Sequence, residues 1–483
     1  MKTAAGAARA VLGTALAAGM LLGGCEGNVN DDTVPVLPID VVSRTASGAL
    51  PSGRSYGPSI SGDGRLVTFT ARSPGMHPLD TNSFTDVFVR DTETGTTTLV
   101  SINAQRTGAG NGHSKNARIS PDGGFVAFWS QASNICSIPG WQDNNYSPDI
   151  YVHCLKYGTT LPVSVSVEGG MLGLRWEQGG CIPDIATDGS YVYVVFENPS
   201  PVTDKYQIWL RRIPIDSFEP NQLQPDLGVT YLVSVPCAGQ GSYANDDCKN
   251  PVITLTLDSI LVAWDSKASI LTTDQTGGKR NVFLRTMNKS TPDTGTTYMI
   301  TACTLYPDGD SYVPVISRDG TYVAFTSAAT NLHITGGDTD YNGVPDVYLK
   351  KSDNGWLRLI SKGPSGLANS ESFAAGISSD GRYVLFSSNA SNLVEGDTND
   401  ATDVFLKDTR EETVTRVSLT MFGGEPYGES GSCEEVVWDF EFKPAGGADL
   451  SGDGRTAVFQ SRASNILPGI VLFDGMQIYR RKF

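Results

Sequence analysis

One short phrase returns seven times along the 483 residues and constrains this chain more than any other feature. Each copy opens with a strand-like stretch, turns tightly at an Asp that is usually followed by Gly, and runs into a second strand that reaches an aromatic residue. The turns centre on Asp63, Asp122, Asp188, Asp258, Asp319, Asp380 and Asp453. Six copies place an aromatic six residues on, at Phe69, Phe128, Trp264, Phe325, Phe386 and Phe459, whereas the third reaches Phe196 two residues late. A period of roughly 60–70 residues makes each copy one unit of an array, because a sheet this small cannot cover its own apolar faces.

The sixth copy reads most clearly. Gly376-Ile377-Ser378 leads into the turn Ser379-Asp380-Gly381-Arg382, and strands follow over 383–388, 403–407 and 414–419. Four short strands separated by turn residues predict an antiparallel sheet. Successive apolar positions such as Val404-Phe405-Leu406 predict burial on both faces. Sheets that stack on neighbours and must protect their edges close radially. The seventh copy supplies three strands, near 448–450, 455–461 and 476–480, with no fourth before Phe483. Upstream, Ile39-Asp40-Val41-Val42-Ser43-Arg44 matches the fourth-strand phrases Leu99-Val100-Ser101, Leu232-Val233-Ser234 and Arg416-Val417-Ser418. The expected fold is all-β: a seven-bladed β-propeller of four-stranded antiparallel blades over 38–483, its last blade closed by the N-terminal strand.

The phrases Ile316-Ser317-Arg318-Asp319-Gly320-Thr321-Tyr322-Val323-Ala324-Phe325 and Asp86-Val87-Phe88-Val89-Arg90-Asp91 resemble the WD-repeat-like propeller modules of the TolB family and its exported relatives. The resemblance covers roughly residues 38–483 and implies the fold. It implies no single activity, because relatives include protein-binding scaffolds, peptidase-associated propellers and polysaccharide lyases. No G-x-S-x-G stretch occurs, which leaves the peptidase branch without support.

Ahead of the array, Lys2 and Arg9 precede an apolar run from Ala10 to Leu22 that is too short to span a bilayer and reads as an export signal. Leu22-Gly23-Gly24-Cys25 resembles a bacterial lipoprotein cleavage site. That resemblance implies a signal peptide over 1–24, lipidation of Cys25, a solvated tether over 25–37 and a membrane contact made through acyl chains alone. Glu26 after Cys25 implies sorting to the outer membrane. The chain carries 36 basic and 52 acidic residues, and loss of Lys2 and Arg9 with the leader takes its net charge from −16 to −18. Such a charge disfavours nucleic acid and anionic lipid as partners and favours cationic ligands or divalent ions. In an oxidising compartment cysteines pair, and those bracketing loops suggest Cys136 with Cys154 and Cys237 with Cys248.

Long loops between second and third strands and between blades are expected to share one face and to carry function around the mouth of the central channel. An insertion near 215–228 reads as an outer loop on the other side. Asp338-Thr339-Asp340-Tyr341-Asn342-Gly343-Val344-Pro345-Asp346 resembles propeller calcium loops, with Asp338, Asp340, Asn342 and Asp346 as side-chain ligands and the Val344 carbonyl between them. A shorter pattern recurs as Asp80/Asn82/Asp86, Asp143/Asn145/Asp149, Asp340/Asn342/Asp346 and Asp397/Asn399/Asp403, and this suggests Asx side chains bonding nearby amides as a scaffold device, with calcium the lesser reading at the three copies without the extra acid and Gly. His77, His113, His153 and His333 show no local ligand spacing. Trp141, Trp176, Glu434, Glu435, Trp438 and Asp439 set aromatics beside acids, which suits a peptide or sugar surface or a local plug. The function expected is a lipid-anchored, monomeric scaffold of the bacterial envelope for a protein or polysaccharide. A polysaccharide lyase or glycoside hydrolase and a calcium-stabilised surface protein are the alternatives.

Overall fold

The computed structural model describes residues 38–73, 75–145, 147–165, 181–223, 228–336, 339–353, 355–431, 447–468 and 475–483. The seven copies form seven four-stranded antiparallel sheets. Blade 1 pairs Arg54–Ile60, Leu66–Arg72, Asp86–Asp91 and Thr96–Leu99 in that order. Blades 2 to 6 follow suit, starting at Ser114, Asp184, Cys248, Ser311 and Ser372. Blade 7 takes Ala448–Leu450, Thr456–Ser461 and Gln477–Lys482 from the end of the chain and Ile39–Val41 from its start. Ile39 faces Arg481, Asp40 faces Arg480 and Val41 faces Tyr479, so the two ends close the ring as expected.

The repeated turn is built from three hydrogen bonds. The Ser61 hydroxyl donates to Asp63 Oδ1 (2.5 Å), that oxygen accepts the Arg65 N–H (3.0 Å), and Ser61 Oγ accepts the Leu66 N–H (2.9 Å). The copies at Asp122, Asp319, Asp380 and Asp453 repeat this arrangement. Gly64 follows Asp63 because the chain there takes φ +75°, where a side chain is strained.

Each turn launches a second strand whose aromatic is fully buried and meets an aromatic of the third strand. In six blades these rings lie 5.7–6.2 Å apart, from Phe69 on Phe88 to Phe459 on Tyr479. In blade 3 the late aromatic keeps its station, since Phe196 lies opposite Trp209.

A second lock recurs seven times at the far end of the blade. A polar residue opening the third strand accepts the hydroxyl of a Ser or Thr that follows the fourth: Asp86 with Ser101, Asp149 with Ser164, Gln207 with Ser234, Asn281 with Thr301, Asp346 with Ser361, Asp403 with Ser418 and Gln477 with Ser43. The last of these joins the ends of the chain.

Two expectations are corrected. The insertion after blade 3's third strand is no bland outer loop: a 3-10 turn at Ile215–Phe218 buries Phe218 against Phe125 of blade 2 (ring centroids 5.0 Å apart), and the Thr159 hydroxyl donates to the Phe218 carbonyl (2.7 Å). Cys136, Cys154, Cys237 and Cys248 are free thiols, not two bridges. Burial pushes the Cys136 and Cys248 thiols up to about 12, and the Cys237 thiol donates to the Ile270 carbonyl (2.9 Å). Among the described residues no helix is long and apolar enough to cross a membrane. Cys25 and the segments 1–24 and 25–37 lie outside the described residues.

Candidate functional site: the axial channel

The first strands of successive blades contact one another around the axis. In blades 1, 2, 4, 5 and 6 the first strand slips register, and Gly57, Asn116, Asn250 and Val313 take positive φ at that slip. Such a bulge re-aims the backbone out of the ladder. The freed N–H groups are taken up by side chains of the preceding blade: Gly57 by Gln460 (2.9 Å), Asn250 by Glu197 (2.8 Å) and Val313 by Asp265 (3.1 Å). A β-branched residue at φ +53°, as at Val313, is costly, and the buried Asp265 carboxylate holds it there.

These strands enclose a cavity of about 280 Å³ lined by Arg118, Asp184, Arg318 and Asp449 among apolar and backbone groups. Asp449 Oδ2 accepts the Ile60 N–H (3.0 Å) and lies 3.9 Å from Arg118 Nη1. Asp184 Oδ2 accepts the Ile253 N–H (2.8 Å). Burial raises the Asp184 carboxyl to about 6, opposed by the Arg118 charge, and burial lowers the Arg318 guanidinium, opposed by Asp449, Asp122, Asp184 and Asp63.

Arg318 owes its position to two glycines. It stands second in the Ser-x-Asp-Gly turn of blade 5, where blades 1 and 7 have Gly62 and Gly452. A Cβ on Gly62 would lie 2.1 Å from Arg318 Nη1, and one on Gly452 3.2 Å from it. The Arg318 side chain therefore reaches across the axis into space that only glycine leaves open. Backbone bonds join the same turns rim to rim: Asp319 N–H to Ser379 O (3.0 Å), Ser379 N–H to Gly452 O (2.8 Å), Gly452 N–H to Gly62 O (3.0 Å) and Gly62 N–H to Pro121 O (2.9 Å). The charged end of the channel is thus at the Asp-Gly turns, the face opposite the elaborated loops where function was expected.

The residues singled out in the sequence are distributed as follows. Asp340 Oδ1 accepts the Asn342 N–H (3.1 Å) and Oδ2 the Tyr348 hydroxyl (2.6 Å). Asn342 Oδ1 accepts the Val344 N–H (3.1 Å), and its Nδ2 donates to Asp346 Oδ2 (3.0 Å). Asp338 lies outside the described residues, as do Trp176, Glu434, Glu435, Trp438 and Asp439. Trp141 is half-buried against the core of blade 2. His153 is buried, bonded through Nδ1 to Thr160 (2.9 Å) and lowered to about 4 by burial. His113 bonds to Thr85, His77 to Leu79, and His333 is exposed in blade 5. No group of three His, Cys, Asp or Glu among the described residues is arranged to hold a metal. Sequence reasoning missed Arg118, Asp184, Arg318 and Asp449; the signal available was the interruption of x in Ser-x-Asp-Gly by glycine in two copies and arginine in a third.

No family model and no curated protein matches the chain. Among solved structures it is similar to a putative TolB from Agrobacterium tumefaciens, at 14% identity over 64% of this chain and 80% of that one with a TM-score of 0.35. It is also similar to the β-propeller domain of the Trilobed protease from Pyrococcus furiosus, at 10% identity over 89% and 93% with a TM-score of 0.43. A third is an α-L-arabinanase from Penicillium chrysogenum, at 11% identity over 76% and 92% with a TM-score of 0.37. At such values the likenesses carry no argument about activity, and the propeller is read from the strand pairing itself.

Proposed function

We propose that this protein is a lipid-anchored binding or assembly scaffold of the bacterial cell envelope, held at the outer membrane through Cys25, and that it engages a segment of a protein or polysaccharide at the axial channel. The observation that carries the reading is the convergence of Arg118, Arg318, Asp184 and Asp449 on one cavity framed by the hydrogen-bonded first strands of the blades. Charges preset on a rigid frame bind an extended polar segment without first paying to order themselves. The Arg318 guanidinium makes no hydrogen bond or ion pair among the described residues, the residue's carbonyl accepting the Thr254 hydroxyl (2.8 Å), and it presents donors suited to a carboxylate or a vicinal diol.

The test uses the full chain on glycan arrays and in cross-linking to envelope fractions. Wild type is expected to capture a saturable ligand that Arg318→Ala weakens by about tenfold or more, with the melting temperature little changed. Equal capture by both proteins would remove the channel from the account. Incorporation of labelled palmitate into wild type and not into Cys25→Ala tests the anchor.

A further inference from the structure

The four Asp-x-Asn-x-x-x-Asp copies place two carboxylates, six residues apart, at the loop end of a blade, and three of the four give the first carboxylate a donor from one particular cross-strand pair. That pair is the aromatic two residues into the third strand and its partner on the fourth: Phe88 and Leu99 in blade 1, Tyr151 and Pro162 in blade 2, Tyr348 and Leu359 in blade 5, Phe405 and Arg416 in blade 6. In blade 2 the Tyr151 hydroxyl donates to Asp143 (3.0 Å), and in blade 5 Tyr348 does the same to Asp340 (2.6 Å). In blade 6, where the aromatic is Phe405, Arg416 Nη1 reaches Asp397 (2.9 Å), Asp403 (3.3 Å) and Glu425 (3.2 Å). Each of these blades supplies one polar member of the pair.

Blade 1 supplies none. Phe88 lacks the hydroxyl and Leu99 lacks the guanidinium. The Asn amide contributes less as well: Asn145, Asn342 and Asn399 each donate to the second carboxylate of their copy (2.8, 3.0 and 3.0 Å), whereas Asn82 makes only the carbonyl bond, to Gly110 (3.0 Å), that Asn342 and Asn399 make besides, to Ala368 (3.0 Å) and Pro426 (3.3 Å). Asp80 is only 6% exposed and Asp86 fully buried. Asp86 Oδ1 accepts the Ser101 hydroxyl (2.5 Å), while Asp86 Oδ2 and Asp80 Oδ1 have no hydrogen-bond partner among the described residues. A buried carboxylate oxygen without a partner is costly, and two neighbouring ones more so.

We propose that Asp80 and Asp86 bind a hard divalent cation, calcium by class, which takes in blade 1 the place that the Arg416 guanidinium takes in blade 6. Arg416 Nη1 shows that a single cationic centre touches both carboxylates of such a pair. The two free carboxylate oxygens form the anionic part of the shell, and water with loop carbonyls completes the six to eight oxygens calcium takes. Burial raises both carboxyls, to about 6 at Asp80 and about 7 at Asp86, where the Asp80 charge adds to the effect and no basic group offsets it. A bound cation reverses that pressure.

The experiment is a thermal melt of the full chain in chelator and in ~5 mM calcium chloride, with calorimetric titration of calcium alone. Wild type is expected to melt roughly 2–5 °C higher with calcium. Asp80→Asn should lose that response while melting in chelator no lower than wild type, since it removes an uncompensated buried charge. Phe88→Tyr, which restores the hydroxyl of blades 2 and 5, should also blunt the response. No calcium response in wild type overturns the proposal, including the case where the melt depends on pH alone and the pair shares a proton. A full response retained by both Asp80→Asn and Asp86→Asn places the ion elsewhere and overturns it equally.

Discussion

Phe88 and Tyr348 occupy one station in two blades, and the single oxygen between them decides whether a buried Asp has a partner. In blade 5 the Tyr348 hydroxyl meets Asp340, which is buried. Tyr348→Phe is expected to cost about 1–3 kcal/mol in chelator, the penalty for an acceptor left unpaired, as read by urea denaturation. With calcium bound in blade 1 as proposed, this variant should gain a calcium-dependent recovery as well. The Asp-x-Asn-x-x-x-Asp pattern was visible in the chain, and its bonding of nearby amides is what the Asx reading led one to expect. Which copy lacks a partner could not be read, because the deciding residue lies on the third or fourth strand and its register with the loop is set by pairing.

At the scale of the strand, the third-strand opener and the Ser or Thr beyond the fourth strand pin the loop end of every blade. Where the opener is Asp, the lock titrates. Asp149 is fully buried, accepts from Ser164 (2.6 Å) and Asn145 (2.8 Å), and faces Asp143; burial lifts it to about 7 in spite of those donors. A folded-state value above the ordinary 3.8 means that the folded chain binds more protons than the unfolded chain between about pH 4 and 7. This contribution is fully present at acid pH and is lost as pH rises through that window, at up to ~1.4 kcal/mol per pH unit for one group. Asp149→Asn adopts the solution that blade 4 already uses at Asn281, whose Oδ1 accepts the Thr301 hydroxyl (2.8 Å). In chelator its urea midpoint should vary less between pH 5 and 8 than that of wild type and should be the higher of the two at pH 8. A parallel pH profile for the two proteins would mean that Asp149 is ionised in the fold throughout.

At the scale of the whole molecule, stability rests on closure. The Ile39–Val41 strand lies against Gln477–Lys482, Arg480 donates to Asp40, and the Ser43 hydroxyl donates to Gln477 (2.7 Å). Ile39 and Val41 are buried in the core that blade 7 shares with blade 6. Deleting residues through Arg44 would strip the outer edge of blade 7 and expose that core, so the shortened chain should lose cooperative unfolding and aggregate. A chain deleted only through Leu37 should melt as wild type does. Size-exclusion chromatography with circular dichroism distinguishes the two.

The sequence by itself determined the number of blades, their strand order and the joining of the two ends. Those properties follow from turn chemistry, strand alternation and a repeat, all of which act over a few neighbouring residues and leave their mark in the local pattern. Only the tertiary structure decided what the ring encloses. Arg318 reaches the axis because Gly62 and Gly452, more than a hundred residues away in the chain, leave it room. Asp184 and Asp449 face the cavity where the first strand of the next blade offers each a backbone N–H, that of Ile253 and that of Ile60, Phe218 is core because blade 2 offers it a pocket, and the paired-looking cysteines stay apart. Each of these outcomes depends on which blades become neighbours when the ring closes, a condition that no local stretch of sequence carries.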